Sequence, residues 1–207
     1  MNPRSFFEKV VNLYQNARKS KFEHSRIFRG RSSSISSQLE DLLALYLVKN
    51  SSKKYSYFVD QSIKVVGTKN NKYPDIVLFE KEKIFHLIDV KADIGWNRNT
   101  MFDFCEEWNQ IIETWKLKQF SLKTGETKEL ISGTFDENLK LHIVIISLKN
   151  SGKKILEDKI QIDKKLKNIR LYILSDGVHP NEYKPTNEIL KKLDIKNDEF
   201  SRLLKNI

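Results

Sequence analysis

Asp75, Asp89 and Lys91 are the residues of this chain whose types and spacing suggest chemistry. They lie in YPDIVLFEKEKIFHLIDVKADIGW, residues 73–96, where the charged turn Glu80-Lys81-Glu82-Lys83 joins two short apolar runs. Asp75 opens the first run, and Asp89 and Lys91 close the second. Side chains two apart on a strand point to the same side, so Asp89 and Lys91 share a face. A hairpin pairing brings Asp75 beside them, and two carboxylates and an ammonium then meet at one end of a sheet. Mg²⁺ is typically held by one or two carboxylates, with waters and phosphate oxygens completing its octahedron. Such a cation neutralises the charge that develops when a phosphodiester is hydrolysed and activates the attacking water. A neighbouring lysine stabilises the transition state or orients that water.

An acid two residues before a lysine means little alone. Five other such pairs occur, at Glu126/Lys128, Glu157/Lys159, Asp163/Lys165, Glu182/Lys184 and Asp194/Lys196, all in polar or helical surroundings. Asp89/Lys91 differs in ending the apolar run Ile84-Phe85-His86-Leu87-Ile88 and in following the chain's sole Pro-Asp pair, Pro74-Asp75. Glu40 adds a third carboxylate. On a helical wheel Ile35, Leu39, Leu42, Leu43 and Tyr46 form an apolar face, with Glu40 at its rim and Asp41 pointing away. His86, among apolar neighbours, reads as a hydrogen-bonded core histidine.

These groups need elements to position them. Apolar spacing predicts a helix over 5–17 and a second from Ser33 or Ser34 to about Val48, capped by the serine cluster. Two or three strands follow, in KYSYFVDQSIKVVG, PDIVLFE and KIFHLIDVKA, then a helix from about Met101 to Lys118. After a polar region at 121–138 come a strand in LHIVIISL, a Lys-rich helix at 153–166, a strand in IRLYILS and a last helix near 186–205. The middle strands lack polar alternation, as in a sheet covered on both faces. The expectation is one α/β domain over 1–207 with a mixed central sheet flanked by helices.

Composition agrees with a nucleic-acid partner. Lys and Arg total 37 against 27 acidic residues, for a net charge of +10, and a basic surface attracts polyanions. Candidate DNA contacts are Asn97, Arg98 and Asn99, just past the Asp89 strand, and Arg29, Arg31 and Ser34 ahead of the Glu40 helix. SDGVHPNEYK (175–184) is a third, weaker candidate. The single cysteine, Cys105, excludes an intramolecular disulfide and reads as a half-buried structural thiol. No signal peptide or membrane-length apolar run is visible, so a cytoplasmic protein is expected.

A helix bearing Glu40, then Pro74-Asp75, then Asp89-Val90-Lys91 resembles the PD-(D/E)XK nuclease superfamily, and within it the type II restriction endonucleases. The resemblance spans about residues 33–148 as an αβββαβ core. It implies Asp75, Asp89 and Glu40 as Mg²⁺ ligands or auxiliary acids, the Val90 carbonyl as a further ligand and Lys91 as the catalytic lysine. It also implies double-stranded DNA as substrate. Cutting both strands of a symmetric site calls for a homodimer, with 149–207 available for recognition or dimerisation. Alternatives are a structure-specific repair or recombination nuclease, or a non-catalytic nucleic-acid-binding module of the same fold.

Overall fold

A two-residue turn makes the hairpin that the site depends on. Lys81 and Glu82 both adopt left-handed backbone, at φ 50° and 63°, as the tightest hairpin loops require. In the computed structural model, which describes residues 1–22, 24–69, 71–95, 100–152 and 154–207, this turn joins β3 (Ile76–Glu80) to β4 (Lys83–Lys91). β1 (Ser56–Val59) flanks β3 on its other side, and both pairings are antiparallel. Helix α3 (Met101–Trp115) then carries the chain over so that β6 (Leu130–Ile145) runs parallel to β4. Such a parallel pair needs a long crossover, commonly a helix.

β6 gives the sheet its curl. Its first residues pair antiparallel with β5 (Gln119–Lys123), which in turn pairs with β2 (Ile63–Val65). Its last residues lie parallel to β7 (Ile169–Ile173), reached through helix α4 (Lys154–Lys165). The result is an α/β fold with a mixed, curled sheet and, among the described residues, six helices. One face of the sheet packs against α1 (Pro3–Ala17), α2 (Ser36–Asn50) and the C-terminal helices, burying Phe6, Leu43, Ile76, Ile88 and Phe200. The other packs against α3 and α4, burying Leu87, Cys105, Ile112, Ile143 and Ile155. None of the described helices is long and apolar enough to cross a membrane.

Four sequence expectations need correction. The polar region 121–138 is not irregular: β5 and the first half of β6 form a twisted hairpin there, whose solvent-facing residues hid the strand pattern. The last helix is two, α5 (Thr186–Lys192) and α6 (Asn197–Asn206), separated by β9 (Leu193–Ile195), which pairs with β8 (Ser175–Gly177). Cys105 is fully rather than half buried, and burial pushes its thiol up to about 12, so it has little thiolate character. At α2 the helix starts later than expected: Ile35 is the N-cap, and Ser34 Oγ accepts instead from the Ser36 N–H at 3.2 Å.

His86 is held as expected, by a partner the sequence did not announce. His142, fully buried on β6, reaches His86 Nδ1 with its Nε2 (3.1 Å) and the Tyr172 hydroxyl with its Nδ1 (3.0 Å). Burial holds His86 down at about 4 and His142 well below the usual imidazole range, so the pair bridges β4, β6 and β7 as neutral rings.

The hairpin turn also fixes a glycine. Thr134 N–H donates to the Glu82 carbonyl at 2.9 Å, and a Cβ on Gly133 would lie 2.0 Å from that oxygen. Backbone must move to admit any side chain, so Gly133→Ala should cost about 2–4 kcal/mol, in the range of overpacking and strain at special positions. Urea unfolding checks this; a loss within 0.5 kcal/mol, as at ordinary surface positions, would show that the turn yields freely.

Candidate active site

The ladders set three aspartates in a row. Ile76 faces Ile88 across β3–β4, and Val59 faces Ile76 across β1–β3. One residue further on, both registers place Asp75 opposite Asp89 and Asp60 opposite Asp75. Asp60 N–H donates to the Asp75 carbonyl at 2.8 Å, which continues the ladder to this point. β3 begins only at Ile76, and the Asp75 carboxylate serves where the ladder stops: its Oδ2 accepts from Val90 N–H at 2.6 Å. Proline at 74, which is buried, supplies no N–H of its own and suits the start of a strand.

Asp89 and Lys91 share the α3 face, as the alternation predicts. Lys91 Nζ stands 2.6 Å from Asp89 Oδ1 and 5.5 Å from the centre of the Phe104 ring on α3. Both are largely covered, with side chains 15% (Asp89) and 28% (Lys91) exposed. Asp89 Oδ1 is buried without a hydrogen bond, so Lys91 contacts it as an ion pair whose angle lies outside hydrogen-bond geometry. Behind Lys91, the strand end is held by Ile146 N–H donating to its carbonyl at 2.8 Å.

Glu40 approaches from α2. Leu39, Leu42, Leu43 and Tyr46 are buried and Asp41 is exposed, while Glu40 is half-buried at the rim, as the helical wheel places it. Burial raises its carboxyl to about 7, helped by the charges of Asp75, Asp60, Asp41 and Asp89. Asp75 is raised to about 6 by burial and then by Asp89, although Val90 N–H and Lys91 oppose the shift. Glu40, Asp60 and Asp89 thus lie within electrostatic reach of Asp75, and Lys91 pairs with Asp89. Asp60 was not singled out from the sequence. Its signal is its place at the end of β1, with left-handed backbone (φ 49°), which only the strand pairing reveals.

The donor set is hard oxygen, suited to Mg²⁺, Mn²⁺ or Ca²⁺, and its raised carboxyls are those of a cluster short of positive charge. As they stand, no three His, Cys, Asp or Glu groups among the described residues are gathered closely enough to hold a metal. Asp75 turns onto Val90 N–H and Asp89 onto Lys91.

The predicted DNA contacts fall unevenly. Asn97, Arg98 and Asn99 lie outside the described residues. Arg29, Arg31 and Ser34 are exposed in the segment between α1 and α2. The third segment reaches the end of β4: His179 Nδ1 accepts from Asn181 N–H (3.0 Å), which leaves Nε2 to donate to Asp93 Oδ2 (3.2 Å), two residues past Lys91. Arg18 donates to Asn181 Oδ1 (2.7 Å) and the Glu182 carbonyl (3.0 Å) and stacks over the Tyr183 ring at 3.9 Å. Residues 179–184 therefore bridge the foot of the Arg29–Ser34 segment and the end of β4. Compared with known proteins, the chain matches no family model, no curated protein and no solved structure.

Proposed function

We propose that the chain is a Mg²⁺-dependent endonuclease of double-stranded DNA, of the type II restriction kind. The observation that carries this reading is the row of Asp75 and Asp89 across β3–β4, with Lys91 on Asp89 and Glu40 over the same end of the sheet. The order α2, β1, β3, β4, α3, β6, with two antiparallel pairings followed by a parallel one, supports a PD-(D/E)XK-like αβββαβ core. β2 and β5 are additions to it. The net charge of +10 and the basic segment leading into α2 fit a polyanionic substrate.

Asp75, Asp89 and Glu40, with the Val90 carbonyl, would hold the cation. When bound, Mg²⁺ supplies a Lewis acid on the phosphate and lowers the pKa of a bound water. The chain's own residues do the rest. Lys91 presents its ammonium beside Asp89, where it can orient an attacking water or offset charge on a non-bridging oxygen. Val90 N–H fixes the Asp75 carboxylate, and the Lys91 ammonium lies over the Phe104 ring. Two such centres in a homodimer would cut both strands.

The test is cleavage of long unmethylated DNA with Mg²⁺, beside an EDTA control. Discrete bands lost in EDTA support the assignment. A smear points to a structure-specific or non-specific nuclease, and undigested DNA at every cation tested overturns the enzyme reading.

Cation binding has its own pH signature. Asp75 and Glu40 keep their protons to about 6 and 7 in the folded protein, higher than in an unfolded chain. The folded state therefore binds more protons in that window, and stability falls as pH rises from about 4 through 7. A divalent cation should reverse the loss where the carboxyls are ionised. Mg²⁺ or Ca²⁺ should raise Tm at pH 8 and have little effect at pH 5. An equal shift at both, or none at pH 8, would place the cation elsewhere.

A further inference from the structure

Between α1 and α2 the chain makes a loop with its apolar residues turned outward. Ser33 N–H donates to the Ala17 carbonyl at 2.9 Å, which closes the loop at its foot, and Arg18 anchors that foot to residues 181–183. Beyond this the described residues 21–34 are all exposed. Phe28 is 89% exposed, more than any other large apolar side chain described, with Phe22 at 74% and Ile27 at 50%. Residues 18–34 hold six cations and a single carboxylate, Glu23. Isolated exposed hydrophobics are ordinary, but a phenyl ring presented on a loop tip between arginines calls for a partner that is both apolar and anionic.

The tip has a defined form. Arg29 Nε donates to the Arg31 carbonyl at 2.6 Å, curling the chain about Gly30, which has nothing within 4 Å of where a Cβ would stand. Arg26 and Arg29 thus flank Phe28 on a tip clear of the body. The loop then runs directly into α2, which begins at Ser36 and carries Glu40 in its second turn. The arm thus precedes the helix whose Glu40 feels the charges of Asp75 and Asp89.

Resting on the nuclease reading, we propose that this loop is a duplex-DNA contact arm in which the Phe28 ring wedges against a base step while Arg26, Arg29 and Arg31 hold the flanking phosphates. Apolar side chains inserted at base steps unstack and bend duplexes, and ring–base stacking is tolerant of sequence. The arm therefore contributes affinity and deformation, and leaves base reading to other segments.

The two kinds of contact separate by salt dependence, because phosphate contacts release counterions and stacking does not. Duplex binding is measured on the full chain with Ca²⁺ or EDTA replacing Mg²⁺, using random-sequence DNA across a salt series. Phe28→Ala should weaken binding about 5- to 100-fold, the range of a lost stacking contact, with the salt slope unchanged, and Phe28→Trp should restore it. Arg29→Ala should reduce the slope by about one unit. Since the loop lies outside the core, circular dichroism should be the same for all variants. Wild-type affinity in Phe28→Ala would overturn the wedge and leave the nuclease reading standing; a wild-type chain that binds no duplex would overturn both. Capture by phosphatidylserine vesicles that depends on Phe28, with duplex binding unaffected by it, would assign the ring to a bilayer and overturn the proposal.

Discussion

Asp89→Ala should bind duplex DNA as the wild type does and show no detectable cleavage, a loss of ~10³-fold or more in turnover. Asp89 stands at the β4 end of the acid row, opposite Asp75 in the extended β3–β4 register, with its Oδ1 buried and without a hydrogen bond. Removing it takes away a proposed cation ligand and frees the Lys91 ammonium from its ion pair. The fold should survive, because the side chain lies at a strand end and its partner is partly solvated. The electrostatics give a second readout. Asp89 is the largest cause, after burial, of the raised Asp75 carboxyl, so Asp75 should titrate below about 6 in the variant while staying above the ordinary aspartate range. Cleavage at the wild-type rate by Asp89→Ala would overturn the assignment of the centre. An unmoved Asp75 would show that the two carboxylates are not coupled.

The parts of the fold that could be read from the sequence are those where one side-chain period decides. The Leu39–Leu43–Tyr46 face placed α2 and left Glu40 at its rim because burial alone sets that pattern. The continuous apolar runs 76–79 and 84–88, bounded by charged residues, marked β3 and β4, and alternation along a strand then put Asp89 and Lys91 on one face. The extent of β6 was missed. Residues 130–138 carry alternating and charged positions suited to a solvent-facing hairpin, and only pairing with β5 makes them a strand. β9 was lost for a related reason: Leu193-Asp194-Ile195 reads as helix when flanked by helical segments, and β8 is what draws it into extended form. Asp60 could not be found from spacing, since its membership in the acid row depends on the β1–β3 register. The same holds for His142 with His86, and for Asp93 with His179. Pairwise contacts between distant segments leave no period along the chain, so a carboxylate on a rim is legible where a partner across a sheet is not.

Lys91→Ala should lower turnover about 10²- to 10³-fold, the range for losing a positioned charge or proton-transfer group, while its cation affinity at pH 8 is retained or increased. Among the described residues Lys91 is the one ammonium within ion-pair reach of Asp89, and it also lowers the Asp75 carboxyl against burial and Asp89. Without it the acid row loses its internal counter-charge. Above pH 8, where the carboxyls are ionised, a divalent cation then meets one competitor fewer. Below that, Asp75 should hold its proton to a higher pH than about 6, so the acid limb of cation binding moves upward. A purely structural lysine would not produce this combination, because general destabilisation lowers affinity and rate together and leaves the limb in place. Lys91→Arg keeps the charge, and so should keep the limb near its wild-type position, but a planar guanidinium cannot replace a compact ammonium beside Phe104. Its turnover should therefore stay low. Thermal shift with Ca²⁺ across pH gives the limb, and single-turnover cleavage with Mg²⁺ gives the rate. Wild-type turnover in Lys91→Ala would remove the lysine from the chemistry. A lowered rate with an unmoved limb would remove it from contact with the acid row.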